Sequence, residues 1–204
     1  MSTLNNIRIL RNLHLSLRAD RTLETGFRMG GSCLTFLQTH KDLGFPPSHQ
    51  HVAIDPYQRS PFNDSSGLLA VERAGLSKFL DFREEYSSMA LAQLLKDERK
   101  FSLVYIDGSH NFEDVFVDVY FAAQLLTING VVALDDSCNI AIKKVLTFLR
   151  RNLRHCLQEL DMTAYHPAPS IKYRIARALK RTNLTAFKKV GELERPYGYR
   201  LADF

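Results

Sequence analysis

An α/β domain with a doubly wound, mostly parallel sheet is what this chain of 204 residues predicts, and three observations predict it. Short apolar segments bounded by turn residues alternate with stretches of helical periodicity, which implies parallel strands, right-handed crossovers and helices on both faces. The two clearest segments, Phe101 to Asp107 and Gly130 to Asp135, are runs of β-branched and aromatic residues that each finish in aspartate. An apolar fraction of 45% at this length is enough for a real core.

The elements follow in order. Leu4 to Leu17 carries Ile7, Leu10, Leu13 and Leu17 on one face and predicts a helix covering the sheet. Arg21 to Thr25 is a weak strand running into glycines, and His51 to Asp55 is a stronger one stopped by Pro56. Helices are expected over Ser32 to Thr39 and over Leu68 to Ala74, the latter closed by Gly75. A strand near Leu80 to Phe82 precedes a helix over Ser88 to Lys96, for which Ser87 or Ser88 is the cap candidate. Phe112 to Leu126 has Val115, Val119, Ala122, Ala123 and Leu126 in one stripe, and Asn129-Gly130 is expected to end that helix in the left-handed conformation. Ile140 to Leu153 reads as a further helix, with final strands over Cys156 to Tyr165 and Tyr197 to Leu201. There is no internal repeat. Residues 1–204 are expected to form one domain: a covering helix in 1–20, a core in 21–153, and final strands in 154–204 interrupted by a basic insert at 167–196.

Composition excludes several classes. Apolar runs such as Val131 to Leu134 fall far short of the roughly 20 residues that cross a bilayer. The N-terminal stretch has arginines but no unbroken apolar region or cleavage site, so no signal peptide is expected and a cytoplasmic location follows. Cys33, Cys138 and Cys156 lack the spacing of a zinc site or a disulfide framework and read as small buried residues. The net charge of +5 is uneven: residues 1–149 hold 15 basic and 17 acidic side chains, whereas 150–204 hold 12 and 5. Lys172, Arg174, Arg177, Lys180, Arg181, Lys188 and Lys189 fall in a stretch without an acid, which reads as a solvated basic helix face or as a contact for a nucleic acid or membrane surface.

In open parallel sheets, ligands bind outside the carboxyl ends of the strands. Glycines after the first strand, in Glu24-Thr25-Gly26-Phe27-Arg28-Met29-Gly30-Gly31-Ser32, allow a tight turn and close approach of a ligand to backbone, with Ser32 opening a helix. Asp55, after the second strand, stands where an acid accepts two hydrogen bonds from a ribose diol. Asp107 and Asp135 end strands expected to be neighbours about 4.8 Å apart. Three convergent carboxylates, counting Asp136, call for a hard cation, or else Asp135 and Asp136 cap the following turn and helix while Asp107 faces a ligand. Asp114 and Asp118, one turn apart, read as structural or as residues that support those touching a ligand. The aromatic residues Tyr57, Phe62, Tyr86, Phe112 and Tyr120 read mostly as core, with Tyr57 and Tyr86 placed to flank a ligand.

Taken together, Glu24-x-Gly26-x-x-x-Gly30-x-Ser32, Ile54-Asp55-Pro56, Ile106-Asp107-Gly108-Ser109-His110 and Asp135-Asp136-Ser137 resemble a class I S-adenosylmethionine-dependent methyltransferase. The closer likeness is to the small O-methyltransferase branch that includes catechol O-methyltransferase and the macrocin-type enzymes. It runs from about Leu23 to Asn152, and the Gly-x-Gly-x-x-Gly of dinucleotide dehydrogenases is absent. The resemblance implies a Rossmann-like, seven-stranded sheet with an antiparallel last strand. It implies S-adenosylmethionine bound by Glu24, Gly26, Gly30 and Ser32 around the methionine part, Asp55 at the ribose, Glu84, Glu85 and Ser87 near the adenine, and Asp107 alongside. Asp107, Asp135 and Asp136 match the Mg²⁺ ligands of metal-dependent members. His110 matches the position of the lysine base of catechol O-methyltransferase, and a histidine titrates in the range such a base needs. Where the macrocin-type pattern has an acid, this chain has Ser109. The function implied is O-methylation of a small hydroxylated acceptor. The alternatives are methylation of RNA or another polyanion through the basic segment, and a non-catalytic module. A homodimer through Leu4 to Leu17 or the 167–196 insert is the implied assembly.

Overall fold

A computed structural model describes residues 3–179, 181–194, 198 and 200–203. Five strands run parallel: β1 (Thr22–Thr25), β2 (His51–Ile54), β3 (Leu80–Arg83), β4 (Phe101–Ile106) and β5 (Leu126–Leu134). They are joined by α2 (Gly31–Asp42), α3 (Ser66–Arg73), α4 (Ser87–Lys96) and α5 (Phe112–Leu125), while α1 (Leu4–Leu17) precedes the sheet. After β5 come α6 (Ile140–Asn152), β6 (Leu157–Glu159), α7 (Ile171–Ala178) and β7 (Thr185–Lys189). The sheet order is β3-β2-β1-β4-β5-β7-β6, with β7 antiparallel to both neighbours. This is the expected α/β architecture, reversed last strand included.

The period-two alternation of a strand divides β4 between two cores. Val104 and Ile106 pack with Leu91, Val115, Val119, Val145 and Leu149 of α4, α5 and α6. Leu103 and Tyr105 pack with Ile9, Leu13 and Phe36 of α1 and α2 on the other face. Burial on both faces explains why the central strands read as continuous apolar runs rather than alternating ones. Strand order reverses between β1 and β4, so their carboxyl ends diverge beneath a crevice.

Three expectations change. The chain leaves α5 at Leu125 and enters β5 at once, pairing Leu126 with Phe101, before the register jumps to Leu103 against Val131. Asn129, with φ of 70°, belongs to that bulge and does not cap the helix. The last strand is Thr185–Lys189, inside the expected insert. Its lysine-rich sequence hides it, because Lys189 is buried, donating from Nζ to the Leu126 carbonyl at 3.0 Å and pairing with Glu192 at 2.8 Å. Of the strand expected at Tyr197 to Leu201, Gly198, Arg200 and Leu201 are not in a strand, and Tyr197 and Tyr199 lie outside the described residues, as do Lys180 and Pro196. Cys156 to Tyr165 is likewise only partly strand, because a short 3-10 turn occupies Met162–Tyr165. No helix among the described residues is long and apolar enough to cross a membrane.

Candidate active site

A cavity of about 1000 Å³ opens over the carboxyl ends of β1, β2 and β4. Its walls come from the loops 25–32, 54–63, 86–88 and 107–111 and from α5. Gly26 sets the first loop: its φ is +89°, and a Cβ there would stand 2.2 Å from the Asp107 carbonyl oxygen. Only a residue without a side chain lets the β1 turn lie against the end of β4. Gly30, at φ +76°, precedes the first turn of α2, and Ser32 lines the cavity at its start.

Asp55 fastens two of these loops together. Its Oδ2 accepts from the Phe27 and Arg28 amides at 3.2 and 2.8 Å, and its Oδ1 from the Tyr57 amide at 2.8 Å. A carboxylate has about four lone-pair sites, so capacity remains for a ligand hydroxyl from the cavity that Asp55 lines. Tyr57 and Tyr86 meet edge to face with hydroxyls 2.9 Å apart and stand on the cavity wall with Ser87. Glu84 is turned away: the Arg59 backbone amide and guanidinium both hold it, and these contacts keep its carboxyl below the ordinary value. Neither Glu84 nor Glu85 belongs to the wall. Tyr57, Phe62, Tyr86 and Tyr120 are exposed rather than core.

Glu24 lies beneath the floor, fully buried. Its Oε1 is 3.3 Å from His51 Nε2, and the Cys33 thiol completes a tight buried group of three. Burial, offset in part by the Ser32 hydroxyl and Cys33 thiol, pushes the Glu24 carboxyl up to about 8. Burial also takes His51 down to about 3. Both are therefore neutral at pH 7, and Glu24 does not reach the cavity itself.

Asp118, expected to be structural or to support the residues that touch a ligand, lines the cavity itself. It is buried, its Oδ1 meets no hydrogen-bond donor, and burial, partly offset by the Ser87 and Thr25 hydroxyls, raises its carboxyl to about 6. The signal available in the sequence was its place in the α5 stripe, beside Val115 and Val119. Asp114 lines the cavity too and holds the loop, accepting from Ser109 Oγ at 2.7 Å and Asn111 Nδ2 at 3.1 Å.

The expected carboxylate trio divides. Asp135 is buried, accepting from Tyr105 Oη at 2.6 Å, Asn6 Nδ2 at 2.6 Å and the Asp136 amide at 2.9 Å. Burial raises its carboxyl, and these hydrogen bonds partly offset the rise. Asp136, at φ 46°, turns outward instead, and its Oδ2 lies 2.7 Å from His110 Nε2. Asp107 joins that pair, so the donor atoms of Asp107, His110 and Asp136 lie within 4.8 Å of one another. His110 and Asp107 line the cavity. Two carboxylates and an imidazole are a donor set suited to a divalent metal, and they equally form a histidine oriented by an acid.

The sequence profile of a family described as a methyltransferase domain matches residues 23–137, more than half of the chain. The chain belongs to this methyltransferase family. Residues 23–137 include every strand-end loop of the cavity. The methyltransferase is similar in structure to the O-methyltransferase TomG of Streptomyces achromogenes, involved in tomaymycin synthesis and solved in complex with SAM. That match has 17% identity and a TM-score of 0.71 over 94% of this chain and 82% of that one. An O-methyltransferase from Bacillus cereus in complex with SAH matches at 14% identity and TM-score 0.67, over 93% and 83% of the two chains. A SAH-bound methyltransferase from Podospora anserina matches at 17% and 0.67, over 94% and 80%. At these identities the likeness establishes the fold. Comparison with curated proteins finds no match. Family and fold together make the protein a class I S-adenosylmethionine-dependent methyltransferase.

Proposed function

We propose that this methyltransferase transfers the methyl group of S-adenosylmethionine to a hydroxyl oxygen of a small acceptor. The observation that carries the reading is the His110–Asp136 pair, 2.7 Å apart, on the rim of a cavity large enough for cofactor and acceptor together. The proposed cofactor site uses Asp55 for the ribose hydroxyls, the Gly26 to Ser32 loop for the methionine part, and Tyr57, Tyr86 and Ser87 for the adenine. Asp118, on the α5 wall of the cavity, lies on the adenine side of this site. Glu24 supports this site from below by setting the loop, without touching the ligand.

In the transfer, the acceptor oxygen attacks the methyl carbon in line with sulfur. The C–O bond forms as the S–C bond breaks, and the bond pair goes to sulfur, leaving the neutral thioether. With Nε2–H held by Asp136, His110 presents Nδ1 as the base that takes the hydroxyl proton, and Asp136 stabilises the imidazolium that results. The walls align acceptor and methyl and exclude water. Asp107, Asp136 and His110 are also the residues that would hold a divalent metal; with it bound, the metal rather than His110 would polarise the acceptor hydroxyl and favour loss of its proton. Asp135, occupied by Tyr105 and Asn6, positions Asp136.

The test is a panel of phenols, sugars and other hydroxylated molecules assayed with methyl-labelled S-adenosylmethionine, with and without chelator, followed by product structure determination. O-methylated product from wild type and its loss in His110→Ala are expected. Methylation at nitrogen or carbon, or turnover unchanged in His110→Ala, contradicts the reading.

A further inference from the structure

The helix α7 is turned the wrong way round for a helix that covers a core. At about 100° per residue, Ile171, Ile175 and Leu179 fall along one stripe, and they are 77%, 54% and 59% exposed. The opposite face meets the protein with its polar members. Tyr173 packs on the core beside α1, and Arg177 pairs with Glu159 at 3.0 Å and Asp161 at 3.8 Å. None of the described residues of α7 is buried. Exposed Lys172 and Arg174 flank the apolar stripe on either side, exposed Arg181 follows it, and no acid occurs between Asp161 and Glu192.

We propose that α7 is an interfacial helix that docks the protein on an anionic phospholipid surface. An apolar stripe aimed at solvent between cationic borders matches both layers of such a surface: the side chains enter the acyl boundary while the basic groups stay among the headgroup phosphates. A second copy of this chain fits less well, because a two-fold pairing of the stripe sets its cationic borders against like charges, and Asp161, the exposed acid beside Arg174, is already engaged by Arg177. A nucleic acid fits the charges but gives three branched apolar side chains nothing to bury against. Among the described residues of the segment, Arg177 and Lys189 are engaged within the fold, and the exposed cations Lys172, Arg174 and Arg181 lie beside the stripe. The docking face also adjoins the chemistry. Arg181 accepts a hydrogen bond from Cys138 through its carbonyl, and Asn183, four residues beyond Leu179, donates to Asp136 at 3.0 Å.

Co-sedimentation of the full chain with vesicles of phosphatidylcholine, alone or mixed with phosphatidylglycerol, tests this, with molar mass in solution measured in parallel. The protein should sediment with the anionic vesicles and not with the neutral ones, and salt should weaken the binding. Ile175→Glu should weaken it about tenfold or more and Arg174→Gln about fivefold, with thermal stability unchanged because both side chains are solvent-facing. Absence of binding to anionic vesicles, or equal binding by Ile175→Glu, overturns the proposal. So does a dimer that Ile175→Glu dissociates, which would assign the stripe to a second copy. None of these readouts depends on methyl transfer, so the outcome is independent of the reading given above.

Discussion

Two clusters in this molecule are built from nearly the same side chains and behave oppositely. Glu24, His51 and Cys33 sit under the cavity floor, sealed from water, while Asp107, His110 and Asp136 sit on its rim, with His110 half exposed. In the sealed cluster, burial disfavours charge, so the carboxyl keeps its proton to about pH 8 and the imidazole refuses one down to about 3. The two lie 3.3 Å apart as neutral partners. On the rim, the acid–imidazole contact is shorter, 2.7 Å, and open to the cavity and to solvent. Burial, more than residue type, separates the histidine under the floor from the one proposed as the base.

Removing the rim histidine should have the largest consequence. His110→Ala is expected to lower kcat by about 10² or more with little change in cofactor affinity. Loss of cofactor binding in that variant would instead make His110 a structural part of the pocket.

The sealed cluster answers to pH through stability. Glu24 titrates higher in the fold than its ordinary 4.5, so between those values the unfolded chain has released a proton the folded state retains, and stability falls as pH rises. His51 titrates below its ordinary 6.5, so stability falls as pH drops below that value. The two slopes oppose each other between about 4.5 and 6.5, leaving the Glu24 slope unopposed by His51 from about 6.5 to 8. Glu24→Gln should therefore gain about 2 kcal/mol relative to wild type between pH 6.5 and pH 8, measured by denaturant unfolding without cofactor. A difference that does not vary with pH would mean that Glu24 is ionised in the fold.

Asp136→Asn leaves the rim geometry in place but removes the charge that stabilises the imidazolium. A fall in kcat of about tenfold, with cofactor affinity unchanged, is the expected result. An effect as large as that of His110→Ala would point to Asp136 as a ligand rather than a positioning acid. The smallest effect belongs to Asp118→Asn, expected to weaken S-adenosylmethionine binding about threefold while raising the stability of the free protein at pH 7, since its acid is held near 6 by burial. Stability lost together with affinity would show that the carboxylate is needed to hold α5 to Ser87 and Thr25.

Legibility in the sequence followed the same division. The helix Leu4–Leu17 and the parallel strands were readable because their apolar residues repeat with the period of the element and both sheet faces are covered. The β7 strand was not, because its apolar character depends on where Lys189 finds an acceptor, a distant carbonyl at Leu126. At the site, Asp55, Asp107 and His110 could be placed from their positions after strands. The separation of Asp135 from Asp136 could not, because it turns on Tyr105 and Asn6, the latter 129 residues away along the chain, drawing one carboxylate inward. Glu84 stands off the cavity wall for a similar reason: Arg59, on another loop, holds it aside. Asp118 could be placed beside the apolar stripe of α5, but its position on the cavity wall depends on how α5 packs over the end of β1, which the helix period alone does not give.

Calorimetric titration of S-adenosylmethionine into wild type and Asp55→Ala tests the central claim most directly, because Asp55 both fastens the two loops and faces the proposed ribose position. The account predicts saturable one-to-one binding by wild type and a loss of at least tenfold in affinity in the variant, with the fold retained by circular dichroism. Wild type that binds no cofactor, or an Asp55→Ala protein that binds it as well as wild type, would contradict it.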